Sequence, residues 1–123
     1  MIVDTSAMIA ILKREPGYER LATKLLNAKE PKIPLPAVVE MQLVTRDEQK
    51  IDEMLQRFGL KVLPVEVQQL SWLRFAIQNF ARGSGSPAKL NFGDCFSYAA
   101  SRALNEPLLF KGTDFSATDV IAA

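Results

Sequence analysis

Met1-Ile2-Val3-Asp4-Thr5-Ser6-Ala7-Met8-Ile9-Ala10-Ile11-Leu12 opens the chain and decides how the rest is read. A short apolar run breaks at Asp4-Thr5-Ser6, residues that suit a strand end and a helix N-cap, and residues 7–12 then follow a helical pattern. The stretch predicts strand, turn, helix. Beyond it, Pro16-Gly17 punctuates the chain, and residues 18–27 set Leu21, Leu25 and Leu26 on one helical face with Arg20 and Lys24 on the other. Lys32-Ile33-Pro34 is a very short candidate strand, and Pro36 suits the first residue of a helix running through Glu40 to about residue 47. Ile51, Leu55 and Phe58 mark a further helix ended by Gly59. Residues 60–65 read as a strand with Pro64 near its end, and residues 66–81 as a helix. The run Arg82-Gly83-Ser84-Gly85-Ser86-Pro87 predicts a flexible loop. Asn91 suits the cap of a last helix with its body at residues 95–104, and Leu108-Leu109-Phe110 reads as a buried strand ending near Thr113-Asp114.

Strands alternating with helices imply right-handed crossovers and a parallel sheet covered on both faces. The expected architecture is a three-layer α/β/α sandwich formed by residues 1–123 as a single domain, since 123 residues is one domain's worth. No apolar run approaches the roughly 20 residues that span a bilayer. The N-terminus carries no basic segment before a long apolar stretch, so a cytoplasmic protein is expected. One cysteine, Cys95, excludes an internal disulfide framework and a Cys-rich zinc site, and reads as a small buried residue. Histidine is absent, which removes Ser-His-Asp and Cys-His catalysis and His-ligated zinc or iron. A net charge of +1 does not advertise nucleic-acid binding, though it leaves room for a local basic rim.

Any hydrolysis must therefore run on carboxylates. Most acids of this chain lie in mixed-charge runs such as Arg46-Asp47-Glu48-Gln49-Lys50, but Asp4, Glu40, Asp94 and Asp114 each interrupt an apolar or small-residue stretch. In an open parallel sheet, ligands bind at the carboxyl ends of the strands where strand order reverses. Asp4 and Asp114 follow predicted strands, while Asp94 and Glu40 lie early in helices that begin at that same edge. Carboxylates gathered there repel, and so take up protons or recruit a cation. All-oxygen ligation selects Mg²⁺ or Mn²⁺ over zinc, and such an ion suits phosphodiester hydrolysis. Singly, each acid has a plainer role open to it. Asp4 suits an N-cap, Asp94 a helix-dipole partner, Glu40 a polar helix face and Asp114 a turn. Joint occurrence at one edge favours the metal reading. Asp119 is a ligand, an outer-shell group or a solvated tail residue, and Thr5, Ser6 and Thr113 either orient carboxylates or cap helices.

Four blocks carry a resemblance that runs from end to end. They are Met1-Ile2-Val3-Asp4-Thr5-Ser6-Ala7, the helix bearing Glu40, Leu90-Asn91-Phe92-Gly93-Asp94-Cys95-Phe96-Ser97-Tyr98-Ala99, and Glu106-Pro107-Leu108-Leu109-Phe110-Lys111-Gly112-Thr113-Asp114-Phe115. With these the chain resembles the PIN-domain proteins of the VapC-like toxin type. That resemblance implies a PIN-like fold with a central parallel sheet and an active site of Asp4, Glu40, Asp94 and Asp114 holding Mg²⁺ or Mn²⁺. It further implies an endoribonuclease that blocks translation, a homodimer, and a cognate antitoxin whose C-terminal segment occupies the groove near the acids. Lys13, Arg14, Lys89, Arg102 and Lys111 are candidate RNA contacts by their nearness in sequence to sheet-edge loops. The apolar faces of the helices around residues 41–55 suit a dimer interface. Two rivals remain. A receiver domain would need an acid directly after a central strand, where this chain has Pro64, and a PIN-like module that binds RNA or protein without cutting would fit better if one of the four acids were missing.

Overall fold

The opening stretch folds as read. In a computed structural model describing residues 1–123, strand β1 (Ile2–Val3) runs into helix α1 (Thr5–Leu12), with Asp4 between them as the N-cap, its side chain accepting from the Ser6 N–H. Helix α2 (Tyr18–Asn27), strand β2 (Lys32–Pro34), helix α3 (Leu35–Thr45), helix α4 (Glu48–Arg57) and strand β3 (Lys61–Leu63) follow. A 3-10 turn (Val67–Gln69) leads into helix α5 (Leu70–Asn79), and helix α6 (Phe92–Leu104) precedes strand β4 (Leu108–Leu109).

All four strands are parallel, in the order β3-β2-β1-β4. The chain therefore steps outward from β1 through β2 to β3, then crosses back to add β4 on the other side of β1. Strand order reverses between β1 and β4, where Ile2 pairs with Leu108 and Val3 with Leu109.

Side-chain alternation along these short strands feeds two cores, as period-2 geometry requires. Val3, Ile33 and Leu109 face one cluster with Met8, Leu25, Met41, Ile51 and Met54 from α1 to α4. Ile2 and Leu108 face the other, with Ala76, Cys95, Tyr98 and Ala100 from α5 and α6. A parallel sheet with helices on both faces, only its edge strand β3 left open to solvent, is the three-layer sandwich expected. No helix is long and apolar enough to cross a membrane.

Several boundaries differ from the sequence reading, each for a local reason. Strand β3 stops at Leu63 because Pro64 has no N–H for the ladder, so residues 60–65 are not all strand. The helix expected over residues 66–81 begins as a 3-10 turn held by a Glu66–Gln69 capping box and ends at Asn79. Residues 82–87 are closed by hydrogen bonds rather than loose: the Ser84 hydroxyl donates to the Ala81 carbonyl at 2.6 Å, and Leu90 N–H to the Phe80 carbonyl at 2.8 Å. Asn91 caps α6 as expected, but the helix body starts at Phe92. Strand β4 ends at Leu109, which leaves Asp114 on the loop that follows. Met41, Ile51 and Met54 point into the protein's own core, so the apolar surface of this region consists of Leu35, Val39, Leu43 and Val44.

Candidate active site

A cavity of about 420 Å³ opens at the carboxyl edge of the sheet, beside the β1/β4 reversal. Asp4, Glu40, Asp94 and Asp114 all line it, together with Thr5, Ser6, Ile9, Glu15, Asn91 and Lys111. Only Ile9 among these is apolar. The four acids read from sequence thus meet at one place, although they differ in burial. Asp4 is 3% exposed, Glu40 and Asp94 are half-buried and Asp114 is exposed.

Asp4 is held most firmly. Its Oδ2 accepts from the Ser6 backbone N–H at 2.9 Å and the Ser6 hydroxyl at 2.6 Å, while Oδ1 accepts from the Ser97 hydroxyl at 2.5 Å. Hydrogen bonds to an ionised group are the short, strong ones, and both oxygens keep lone pairs for another ligand. Asp94 sits at the third position of α6 and closes a reciprocal box with the cap: its Oδ2 accepts from Asn91 N–H at 3.0 Å while its own N–H donates to Asn91 Oδ1 at 2.9 Å. Glu40 projects from the middle of α3 and accepts from the Thr5 hydroxyl at 3.4 Å. Asp114 rides on a loop that turns at Gly112 (φ +95°) and is anchored by buried Phe115, whose ring lies 5.2 Å from that of Phe110.

Electrostatics tie these side chains together. Burial pushes the Asp94 carboxyl up to about 6; the Asn91 N–H opposes this, and the charges of Asp4, Asp114 and Glu40 add to it. Glu40 is also raised, by burial and then by Asp4, against the hydrogen bond from Thr5. Raised carboxylates facing one another are the mark of a site short of positive charge. The donors are all oxygen, which fits Mg²⁺ or Mn²⁺. No three of the acids are drawn together into a ready ligand cage. The arrangement therefore suits an ion that keeps part of its water shell, as Mg²⁺ does.

The remaining expectations sort by position. Thr5 and Ser6 line the cavity and bond to Glu40 and Asp4. Thr113 and Asp119 do not line it. Asp119 accepts from the Tyr98 hydroxyl at 2.8 Å and pairs with Arg102 at 3.8 Å. Three residues escaped the sequence reading. Ser97 looks like helix filler, yet it is 1% exposed and one turn from Asp94, a spacing that should have marked it. Gly93 keeps the space beside Asp94 open, since a β-carbon there would overlap the Glu40 carboxylate. Glu15, in a turn between Arg14 and Pro16, gave no signal.

A PIN-domain profile matches residues 1–121. Ribonuclease VapC42 of Mycobacterium tuberculosis is 39% identical over 126 residues, covering 98% of this chain and 96% of that protein. Ribonuclease VapC28 of the same organism is 41% identical, with 98% and 95% covered. Among solved structures, a toxin-antitoxin complex from Klebsiella pneumoniae superposes with a TM-score of 0.75 at 12% identity, over 99% of this chain and 95% of that one. VapBC2 from Rickettsia felis, bound to a DNA fragment from its promoter, does so with a TM-score of 0.68 at 17% identity, over 99% and 96%. At such identities these likenesses concern the fold. The whole-length profile match and the relatives near 40% identity concern descent as well, and by them the chain belongs to the PIN-domain family, among the VapC ribonucleases.

Proposed function

We propose that this protein is a metal-dependent endoribonuclease and the toxin of a toxin-antitoxin pair, hydrolysing RNA phosphodiester bonds and so inhibiting translation. The observation that carries the reading is the convergence of four carboxylates, from four distant segments, on one oxygen-lined cavity at the strand-order reversal. The relatives' name supports the substrate class.

Asp4, Glu40, Asp94 and Asp114 would hold the ion. Bound Mg²⁺ or Mn²⁺ supplies Lewis acidity toward a phosphoryl oxygen and lowers the pKa of water. The chain's own part is to fix the donors. Ser6 and Ser97 hold Asp4 from both sides, the Asn91 cap holds Asp94, and Gly93 leaves room for Glu40. Burial and the neighbouring carboxylates raise Asp94 to about 6, and a bound cation would favour its ionised form. Residues 1–123 act as one domain in the cytoplasm. A cognate antitoxin covers the groove near the acids, and a homodimer forms on the apolar surface of Leu35, Val39, Leu43 and Val44, which are 46% to 57% exposed.

The test is cleavage of a structured RNA panel by purified protein with Mg²⁺, with Mn²⁺ and with chelator, beside Asp94→Asn. Metal-dependent cutting that disappears in a folded Asp94→Asn is expected. Cutting that survives chelation would overturn the metal mechanism, and folded, metal-loaded, antitoxin-free protein that binds the panel without cutting it would mark a non-catalytic module.

A further inference from the structure

The cavity that would receive RNA carries one base. Five carboxylates line it, those of Asp4, Glu15, Glu40, Asp94 and Asp114, against the single ammonium of Lys111. Fully ionised, this lining is four charges negative, and one divalent ion halves that figure without reversing it. A polyanion approaching such a wall needs a fixed cation at the point where a phosphate comes to rest.

Among the basic residues near the sheet-edge loops, Lys111 alone is at that point. Lys13, Arg14 and Lys89 are exposed and do not line the cavity. Arg102 is engaged elsewhere, over the Trp72 ring at 4.8 Å and against Asp119 at 3.8 Å. The Lys111 main chain is registered to the acids through a short relay: its N–H donates to Ser6 Oγ at 3.0 Å, and Ser6 Oγ donates to Asp4 Oδ2 at 2.6 Å. Its side chain is less constrained. Nζ pairs with Glu15 Oε2 at 3.1 Å, and both side chains are about one-third exposed, at 33% and 38%. A pair this open to water is weak and exchangeable.

We propose that Lys111 is the phosphate contact of this cavity and that Glu15 occupies it until RNA arrives. The inference rests on the RNA-cutting reading and adds to it the residue that seats the backbone. The ammonium leaves a carboxylate for a phosphodiester oxygen, a like-for-like exchange of one anionic partner for another, and the weakness of the exposed pair lets it go. Glu15 competes with RNA for that ammonium. Removing its charge favours RNA twice over, by freeing Lys111 and by lowering the repulsion.

The test measures binding of a labelled, randomised single-stranded RNA across a salt series, with Ca²⁺ in place of Mg²⁺ so that bound RNA is not consumed. Lys111→Met and Glu15→Gln are compared with wild type, and Mn²⁺ affinity is measured in parallel. Because the Lys111 bond to Ser6 comes from the backbone, the substitution leaves that relay in place. Lys111→Met is expected to weaken RNA binding at low salt and to lower the slope of log affinity against log salt by about 0.7, the loss of one single-strand phosphate contact. Glu15→Gln is expected to tighten RNA binding several-fold. A Lys111→Met protein with the wild-type slope and a changed Mn²⁺ affinity would overturn the inference, leaving Lys111 as a counter-charge to the acids alone. A Glu15→Gln protein that binds RNA more weakly would overturn the competitor role. Wild type that binds no RNA would instead sink the RNA-cutting reading, and this inference with it.

Discussion

The two edges of the sheet handle carboxylates in opposite ways. At the amino edge Glu106 precedes β4 and accepts from the N-terminal amine at 2.5 Å and from Lys32 at 2.9 Å. Burial alone would raise its pKa, but hydrogen bonds and charge from Lys32 and the amine overcome that and lower it. At the carboxyl edge Asp94 and Glu40 are raised, by burial first and by neighbouring carboxylates after it. What separates the edges is the supply of cations. One closes its charges within the fold, whereas the other gathers four acids and keeps its only base on a fifth, Glu15. The second arrangement is left short of positive charge, and it is there that we place the proposed function, with stability at the first.

Breaking the carboxyl edge should have the largest effect. Asp94→Asn is expected to cut RNA cleavage by at least about 100-fold, given the several kcal/mol of charge stabilisation a catalytic ion supplies. Glu106→Gln at the other edge should leave cleavage within about twofold, as a substitution away from the chemistry does. A middle-sized effect belongs to Ser97→Ala, which strips Asp4 of its partner on Oδ1 and should weaken Mn²⁺ binding by about 10- to 100-fold. Ser97→Thr should restore part of the loss, and an equal melting change with and without Mn²⁺ would reduce Ser97 to a packing role.

Gly93→Ala sharpens the same contrast more gently. Alanine favours a helix by about 1 kcal/mol, and its β-carbon must push aside the Glu40 carboxylate, the mobile end of a flexible side chain, so the donor moves at little cost to the fold. Mn²⁺ affinity should fall about tenfold while helicity is kept. The smallest effect is a difference in pH dependence, read from metal-free melting curves. Asp94 has a folded pKa of about 6 above its ordinary 3.8, so its contribution to stability is full below about pH 4 and is lost as pH rises through 6. Glu106 is lowered from 4.5, so its contribution is present above that value and is lost on acidification. Asp94→Asn should flatten the first trend alone and Glu106→Gln the second alone, and saturating Mn²⁺ should remove only the first.

Much of this was legible in the residues. An apolar triplet breaking at Asp4-Thr5-Ser6 suits a strand running into a capped helix, and the same logic placed Asn91 and Asp94 at a helix start. Acids set among apolar neighbours led to the cavity because water-exposed charge needs no such setting. Strand lengths were less legible: Pro64 trims β3, and β4 is too short for periodicity to bound it. Glu15 was silent because its role depends on a turn meeting the loop after β4, which local pattern does not encode, whereas Ser97 carried a signal in its one-turn spacing from Asp94. Selecting Lys111 among five candidate bases likewise needed the register of its amide on Ser6. Asp119 shows the converse, an acid near the right edge in sequence that Tyr98 and Arg102 hold away from the cavity.

The central claim is that the carboxyl edge is built to be completed by a divalent cation. Titration of Mn²⁺ into the metal-free protein, followed by calorimetry and by the paramagnetic signal of free Mn²⁺, tests it most directly with wild type, Asp94→Asn and Glu106→Gln side by side. Saturable binding to wild type and Glu106→Gln, with proton release near pH 6 and loss in a folded Asp94→Asn, is the expected result. Equal Mn²⁺ binding by all three folded proteins, or binding by none, would contradict it.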